Sequence, residues 1–432
     1  MKTILRLVIT ITLCLPSPVV HASLPEDGRF PKDPKIPVNP SWVHYFQSTY
    51  GECRNTFLKL ADSLKAIYPE AQIFSVKVSA SQNESGSVDG IYIPPAGNPV
   101  NLLILSGGTH GVEGFTGSAI QHMFIEKYIR QNLRVNTGIL LIHGLNPYGF
   151  MNNRRVTGNN VDLNRNCGIS DALYKTSNDG YKDLFTFINP DGPASIGSLE
   201  NRLFVFRAVA KILKSGMPVL RQAVLQGQYE FPKGLYFGGS KAEPQIESIR
   251  GLLKDIGAPY SKIVHIDLHT GYGERGKMHL FPNPPKSEEI RKATEALFAG
   301  YAIDWGDSKD FYTISGDFTG MTQALHPGKL VVPMTLEYGT MDSQTTMGSL
   351  RSIQTMILEN QGFQHGYRND RSQRKIGSWI REMYYPSSAI WQTMVMEQTA
   401  GLLSQVTERL SKTSGDPAPV PGLPFLPFEL PD

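Results

Sequence analysis

The sequence predicts an α/β protein with a mixed, mostly parallel central sheet that is flanked by helices. Four short, continuous apolar runs stand at 102–105, 139–142, 263–268 and 330–336. Each run ends in a polar loop of unusual composition, and stretches with helical periodicity alternate with the runs. Buried parallel strands have this character because helices cover both of their faces. Loops at the carboxyl ends of such strands commonly carry functional residues.

The spacing of apolar residues predicts the remaining elements in chain order. A repeat near 3.6 residues predicts a helix over 42–67, and short alternating or extended segments at 73–78 and 90–94 predict strands. Further helices are predicted over 115–129, 197–213, 243–256, 287–300, 346–361 and 388–410. The chain shows no internal repeat.

The beginning of the chain has the features of a targeting segment. Lys2 and Arg6 precede an apolar run, 7–15, that is too short to span a bilayer. Small residues then precede a cleavage point after Ala22. These features predict a signal peptide over 1–22 and a secreted or periplasmic protein.

The chain becomes rich in proline near its end. The part between this tail and the predicted signal peptide, 23–411, is expected to form one domain. The proline-rich tail, 412–432, cannot form a helix. It is either disordered or an extended strap that docks through Phe425 and Phe428. The apolar side chains favour the strap, because solvated tails seldom carry them.

The composition is that of an ordinary globular protein. Of the 432 residues, 40% are hydrophobic and 19% charged, and the formal net charge is only +3. No run of like charges stands out, so neither a nucleic-acid partner nor a membrane-surface partner is expected. Cys14 lies in the predicted signal peptide, and the remaining pair, Cys53 and Cys167, forms either a disulfide or two separate buried thiols.

Residues that suit zinc stand at two of the predicted strand ends. His110 and Glu113 are three residues apart, directly after the run 102–105, among glycines that let the backbone curl tightly. His269 directly follows the run 263–268. Imidazole nitrogen and carboxylate oxygen both bind zinc, and three such ligands leave one position open in a catalytic site. A chance His-x-x-Glu pair and a histidine that caps a strand are the alternatives.

Two further residues bear on this site. His265 lies two residues before His269 on the same face of the strand, but its deeper position predicts a core residue. Glu337 follows the run 330–336 at another strand end. Partial desolvation would raise the pKa of its carboxyl group toward working pH, as a general base requires. A surface carboxylate in a salt bridge is the alternative.

A segment rich in Arg and Asn lies at 152–166. Its arginines, Arg154, Arg155 and Arg165, alternate with asparagines that suit neither a helix nor a core. The planar guanidinium group of arginine can bind a carboxylate with two hydrogen bonds and can stabilise an oxyanion. A solvated basic loop is the alternative.

Taken together, these motifs resemble the zinc metallocarboxypeptidases of the carboxypeptidase A-like superfamily. His-x-x-Glu after a strand, NPYG, VDLNRN, DLH and a late Glu stand in the order of that family. HGVEGF, NRR, IDLHTG and LEYGT are more similar still to a bacterial branch that is labelled a domain of unknown function. The resemblance covers roughly residues 100 to 345, and the combination is specific although each motif alone is not. It implies a three-layer hydrolase fold.

The resemblance implies one Zn²⁺ per chain and a role for each matching residue near it. His110, Glu113 and His269 would hold the zinc ion. Asp162 would orient a zinc histidine through a hydrogen bond, a role for which there is an independent physical reason. Glu337 would be the catalytic general base.

The resemblance also implies which residues bind the substrate. Arg154 would polarise the scissile carbonyl, with Arg155 as its substitute, while Asn164 and Arg165 would grip a free carboxylate. In two places the chain departs from the family. Where the family has a mobile tyrosine, Phe318 and Thr319 stand, and no tyrosine follows until Tyr338. The segment after Cys167 is longer than usual, which predicts an insertion in 170–260.

The function implied is that of a zinc metallocarboxypeptidase, which removes C-terminal amino acids from peptides through a zinc-bound water and a general-base glutamate. The substrate would be a peptide or an N-acyl amino acid with a free carboxylate. An N-acyl amino acid deacylase, like the aspartoacylase-like members of the superfamily, is the alternative. A non-catalytic binding protein on the same fold is disfavoured, because all the ligands and the base are present.

Overall fold

A seven-stranded sheet forms the centre of the described part of the chain. The structure, a computed structural model, describes residues 28–79, 85–129, 131–216, 222–305 and 315–412. The strands are β1 Gln72–Ser79, β2 Ser85–Ile93, β3 Asn101–Gly107, β4 Thr137–His143, β5 Lys262–Gly271, β6 Met278–Pro282 and β7 Leu330–Gly339. They lie in the order β1-β2-β4-β3-β5-β7-β6. The predicted signal peptide and the predicted tail from residue 413 onward lie outside the described residues.

The four central strands, β4, β3, β5 and β7, are parallel, whereas β1, β2 and β6 pair antiparallel with their neighbours. The predicted α/β class with a mixed sheet that is parallel at its centre is therefore confirmed. Strands β3 and β4 are buried along their whole length, as their continuous apolar sequences indicate. The carboxyl ends of all four parallel strands consequently meet at one edge of the sheet.

The helices lie before, between and after the strands. They are α1 Pro40–Val43, α2 Tyr50–Ile67, α3 Gly114–Tyr128, α4 Gln131–Arg134, α5 Pro147–Asn152, α6 Asp179–Ile188, α7 Leu199–Arg202, α8 Phe204–Ser215, α9 Pro244–Gly257, α10 Glu288–Leu297, α11 Phe318–Leu325, α12 Thr346–His365, α13 Asp370–Tyr384 and α14 Ala389–Lys412. The single helix predicted over 42–67 is wrong, because two helices occupy that stretch. A capping box in which Thr49 and Glu52 satisfy each other's backbone N–H groups begins the second one.

Helices cover both faces of the sheet. On one face, α2, α3 and α14 bury Phe57, Phe124 and Trp391 in a large apolar cluster with the strands. On the other face, α9 and α11 contribute Ile249 and Phe318 to a second cluster. A third cluster joins α6 and α8 to α12 and α13 beyond the sheet. Helix α6 and helix α8 belong to the segment predicted as an insertion; the division into one domain with an insertion stays a prediction.

Two further expectations concern the described residues. Cys53 and Cys167 are both buried and free, so the disulfide alternative is wrong and the separate thiols are correct. Burial raises the pKa of the Cys53 thiol to about 12, which keeps it protonated. Within the described ranges, no helix is both long and apolar enough to cross a lipid bilayer.

Candidate metal centre and active site

Three parallel strands deliver the candidate catalytic residues to one edge of the sheet. His110 follows β3 by three residues, and His269 and Glu337 lie near the ends of β5 and β7. His269 and Glu337 are direct neighbours in the register of the two parallel strands. The predicted positions at strand ends therefore place all three residues at the same edge.

The turn after β3 is shaped by glycine. Gly108 has a φ of +79°, and residues 111–113 form a single 3-10 turn. The backbone N–H groups of Gly111 and Val112 donate to the carbonyl oxygens of Arg155 and Arg154 at 3.1 and 2.9 Å. A Cβ atom on Gly111 would lie 2.2 Å from the carbonyl carbon of Gly149, so only glycine permits this approach. The turn thereby brings His110 and Glu113 back over the sheet.

Three potential metal ligands converge at this turn. The Nδ1 atoms of His110 and His269 are 3.1 Å apart. The two carboxylate oxygens of Glu113 lie 2.9 Å from the first of these atoms and 3.0 Å from the second. All three side chains are buried, and one ligand atom from each lies within 4.8 Å of the others. Two imidazole nitrogens and a carboxylate are a donor set that fits a catalytic zinc ion.

Each histidine is backed by a second carboxylate. Asp162 Oδ1 lies 3.2 Å from Nε2 of His110, and Asp267 Oδ2 lies 2.6 Å from Nε2 of His269. Such partners fix the ring orientation and the tautomer that leaves Nδ1 free to bind a metal. The sequence motifs point to Asp162 but not to Asp267. Its signal was available, because residues two apart in a strand project from the same face.

A buried chain of hydrogen bonds holds Asp267 in place. Ser106 donates to its Oδ1 atom at 2.6 Å, and Thr109 donates to its Oδ2 atom at 2.9 Å. The Ser106 hydroxyl also lies 2.8 Å from Nε2 of His265, whose Nδ1 lies 2.8 Å from the Thr322 hydroxyl. His265 is fully buried, and burial lowers its pKa to about 4. His265 is therefore a neutral core residue behind His110, Glu113 and His269, which we call the candidate metal group.

Two carboxyl groups at this point, those of Glu113 and Asp267, have lowered pKa values. Burial acts to raise the pKa of Glu113, but His110 and His269 outweigh it and lower the pKa to about 2. Asp267 likewise has a pKa of about 2, because His269 outweighs its burial. These carboxylates are therefore ionised at neutral pH, which favours a bound cation.

Glu337 differs from the other carboxylates. Burial, followed by the charge of Glu113, raises its pKa to about 7. One of its oxygens accepts a hydrogen bond from the backbone N–H of Tyr272 at 2.9 Å. Among the described residues it forms no ion pair, and its side chain lines the cavity beside the metal group. A carboxyl group that lines a cavity and has a pKa near neutral can exchange protons at working pH.

The two neighbouring arginines point in different directions. Arg154 hydrogen-bonds to Glu359 and to Asn160 Oδ1, and its guanidinium lies 3.5 Å from the Phe363 ring centroid. Arg155 instead lines the cavity, with Nε 3.1 Å from Asp162 Oδ2 and Nη1 3.6 Å from Glu113 Oε1. Arg155 therefore lines the cavity, whereas the resemblance favours Arg154 for a role in the site. The sequence could not indicate this, because adjacent residues project to opposite sides and the loop decides which side faces the site.

Asn164 and Arg165 both line the cavity. Asn164 Oδ1 accepts a hydrogen bond from the backbone N–H of Phe318 at 3.1 Å. Arg165 is 1% exposed and donates to the carbonyl oxygens of Leu225 and Asn164. These three bonds leave two of its five N–H groups for another partner. In the described part of the chain, no carboxylate lies within ion-pair distance of Arg165.

One cavity of about 410 Å³ joins these residues. Its polar floor includes His110, His269 and Glu337. A largely apolar wall comes from α6, α8 and the following segment, with Leu184, Phe187, Ile188, Phe204, Ala208, Ile212, Val224 and Leu225. The cavity therefore combines a charged floor with a wall that suits an apolar group.

Three tyrosines that the sequence analysis did not name border the cavity: Tyr236, Tyr272 and Tyr384. Tyr236 has a φ of +54°, and its ring centroid lies 5.4 Å from the guanidinium of Arg155 and 5.8 Å from that of Arg165. No local signal could have found it, because the contact depends on the loop fold. Tyr338, by contrast, is fully buried and hydrogen-bonds to Thr399 in the core.

Comparison with solved structures gives only distant likenesses. A metallo-carboxypeptidase of Burkholderia cenocepacia is 12% identical with a TM-score of 0.34, over 71% of this chain and 67% of that chain. One of Pseudomonas aeruginosa, in complex with (2-guanidinoethylmercapto)succinic acid, is 12% identical with a TM-score of 0.35, over 72% and 68%. Bovine thrombin-activatable fibrinolysis inhibitor is 13% identical with a TM-score of 0.37, over 75% and 98%. Likenesses at this level carry no argument about activity.

No curated protein matches the chain. Residues 46–398, in contrast, match the family described as protein of unknown function (DUF2817). The predicted resemblance to a branch labelled as a domain of unknown function is confirmed by this match. Because the match spans most of the chain, the protein belongs to the DUF2817 family.

Proposed function

We propose that this protein is a zinc-dependent hydrolase that removes C-terminal amino acids from peptides. One observation carries the proposal: His110, Glu113 and His269 converge on one point in the floor of a cavity, next to Glu337. The histidines are backed by carboxylates, which is the usual support of a catalytic zinc site. Zinc at this point would supply Lewis-acid activation of a water molecule and of the scissile carbonyl.

Glu337 is the proton carrier in this proposal. Its carboxylate accepts a proton from the attacking water and delivers it to the leaving amine. A group serves both steps best when its pKa lies near the working pH. In the metal-free protein the pKa of Glu337 is about 7, and a bound zinc ion would lower it from there.

Arg155 stabilises the developing oxyanion in this proposal, in place of Arg154. Its guanidinium lies against Glu113 and Asp162 and faces the cavity. A fixed cation in a desolvated site stabilises transition-state charge without having to reorganise. Arg154 instead belongs to the ion pair with Glu359.

Arg165 binds the free carboxylate of the substrate. A buried guanidinium without a carboxylate partner is costly unless a ligand supplies the opposite charge. Two free N–H groups suit a bidentate contact with a carboxylate. A carboxylate fixed next to the scissile bond makes cleavage of the terminal residue the favoured reaction.

A deacylase of N-acyl amino acids is the second candidate. The apolar wall formed by α6 and α8 favours it, because this wall suits an aliphatic acyl chain as well as a large side chain. Both reactions use the same floor residues and the same carboxylate contact. Only the choice of substrate therefore distinguishes the two reactions.

The test is a panel of three substrate classes: N-blocked dipeptides with a free C-terminus, the same dipeptides as C-terminal amides, and N-acyl amino acids. Each is assayed with the zinc-loaded protein and with chelated protein as the control. The proposal expects hydrolysis of the free dipeptides that depends on zinc. If only N-acyl amino acids are cleaved, the protein is a deacylase, as in the second candidate function. If C-terminal amides are cleaved as fast as free dipeptides, the proposed contact between Arg165 and the substrate carboxylate is wrong.

A further inference from the structure

A stripe of exposed apolar side chains runs along α7 and α8. It consists of Leu199, Leu203, Phe206, Val209 and Leu213, which are 70, 41, 74, 39 and 84% exposed. Five of the nine large apolar side chains that are exposed in the described ranges lie in this stretch. Scattered exposed apolar residues are normal, but a contiguous group of them marks an interaction surface. We call these five residues the α7–α8 stripe.

The spacing of the stripe is that of one helical face. Its members follow one another at intervals of four, three, three and four residues. The opposite face of α8 has its partners inside the protein, where Phe204 and Ala208 are buried and line the cavity with Ile212. Helix α8 is therefore apolar on two faces, and its own fold accounts for only one of them.

Basic side chains outnumber acidic ones along the stripe, where Glu200 in α7 is the one acidic side chain between Leu199 and Leu213. Helix α8 contains no acidic residue, and its basic side chains include Arg207 and Lys211. Both lie over the ring of Phe187, at 5.4 and 5.3 Å from its centroid, and Lys211 also lines the cavity, so these two cations border the stripe on its cavity side. Arg202 adds a third exposed cation at the end of α7. An apolar face bordered by cations is complementary to an anionic lipid surface.

We propose that the α7–α8 stripe docks this protein on an anionic lipid surface. At 12 residues, α8 is about 18 Å long, so it lies in the plane of the interface with Phe206 and Leu213 among the acyl chains. A second copy of the chain is a poorer occupant. A two-fold contact would set the stripe against itself and bring the cations of the two copies close together. The proposal replaces the expectation that no membrane surface is bound.

The test is flotation of the full-length chain with large unilamellar vesicles. One set of vesicles contains phosphatidylcholine only, and the other contains phosphatidylglycerol as well. The proposal expects the protein to float with the anionic vesicles and to be released by high salt, because salt screens the contribution of the cations. Absence of flotation with anionic vesicles at low salt would overturn it.

Matched variants separate the stripe from general stickiness. Phe206→Ser with Leu213→Ser should lower the partition coefficient on anionic vesicles at least about tenfold, because burial of either side chain contributes enough for a tenfold change. Ile67→Ser with Ile169→Ser changes two side chains that are each 54% exposed but lie outside the stripe, and should bind like the wild type. Since all four positions are exposed, thermal melts should show that both proteins fold.

Two results would contradict the docking site. One is an equal loss of binding in both double variants, which would mean that the stripe has no special role. The other is a wild type that sediments as a dimer and does not float, while Phe206→Ser with Leu213→Ser sediments as a monomer. That result would assign the stripe to a second copy of the chain instead of a lipid surface.

Discussion

The two histidines of the candidate metal group are oriented by their outer partners. Asp162 and Asp267 take the Nε2 side of His110 and His269, so both Nδ1 atoms face the same point as the carboxylate of Glu113. His110, Glu113 and His269, which the sequence motifs indicate separately, thus form a single set of potential metal ligands. The orientation itself could not be predicted, because it depends on hydrogen bonds between distant segments.

Loss of one ligand should remove the metal. His269→Ala leaves a nitrogen and a carboxylate, which bind zinc far more weakly than three ligands do. We expect the purified variant to contain less than about a tenth of the zinc of the wild type, measured by elemental analysis. His122→Ala, which changes a histidine bonded to Glu126 on α3, is the control and should keep its zinc. Full zinc content in His269→Ala would contradict the assignment.

Glu337→Gln should separate chemistry from metal binding. The amide has the same shape but cannot accept a proton, so we expect turnover to fall by about 10² to 10⁴-fold while zinc content stays unchanged. Steady-state kinetics and elemental analysis measure the two quantities. A variant that keeps more than about a tenth of the wild-type rate would exclude Glu337 as the base.

The same variant makes a prediction about stability. The folded-state pKa of Glu337, about 7, lies above the ordinary value of 4.5, so the folded protein binds the proton more tightly than the unfolded chain. The carboxylate therefore destabilises the metal-free protein increasingly as pH rises from about 4.5 to 7. Chelated Glu337→Gln should melt at a higher temperature than chelated wild type at pH 8 and at nearly the same temperature at pH 4.5. Equal melting temperatures at both pH values would contradict the raised pKa.

Arg165→Ala should damage only the cleavage of substrates with a free carboxylate. The wild type should prefer free acids over amides, because Arg165 can donate two charge-assisted hydrogen bonds to a free carboxylate. Each such bond contributes about 1.5 to 3 kcal/mol. The variant should cleave both forms at similar low rates. Arg165→Lys should restore little of the preference, since an ammonium group lacks the planar pair of donors. An unchanged preference in Arg165→Ala would contradict the contact.

At the scale of elements, the apolar runs predicted β3, β4, β5 and β7 because buried parallel strands must be apolar on both faces. The helix over 42–67 was predicted wrongly, since apolar spacing continues through the break that the Thr49 capping box creates. The position of Arg155, rather than Arg154, at the cavity has the same origin, because backbone contacts that periodicity does not report determine loop structure. Strand ends were therefore easier to predict than loop side chains.

The turn after β3 offers a test of this loop packing. Gly111→Ala puts a methyl group 2.2 Å from a backbone atom of Gly149, which cannot move aside like a side chain. We expect a loss of about 1 to 3 kcal/mol in the free energy of unfolding, measured by denaturant titration. Gly251→Ala in α9 meets no atom within 4 Å and is the control; it should be neutral or stabilising. A Gly111→Ala variant as stable as the wild type would contradict the close approach of Gly111 to the backbone of Gly149.

At the scale of the whole molecule, the sheet and helices α6 and α8 contribute different parts of the cavity. The parallel strands bring the candidate metal ligands and Glu337 to one edge, and α6 and α8 supply the apolar wall of the cavity. The sheet was predictable from its sequence pattern. The contribution of α6 and α8 was not, because amphipathic spacing alone does not reveal which neighbour a helix packs against.

The most direct test of the metal centre is anomalous diffraction from a crystal of the zinc-loaded protein at the zinc absorption edge. We predict one peak per chain at the point where His110, Glu113 and His269 converge. It should lie about 2.0 to 2.1 Å from each Nδ1 atom and about 2.0 to 2.2 Å from a carboxylate oxygen of Glu113. A zinc-loaded crystal without a peak at this point, or with its zinc bound by other residues, would contradict the account.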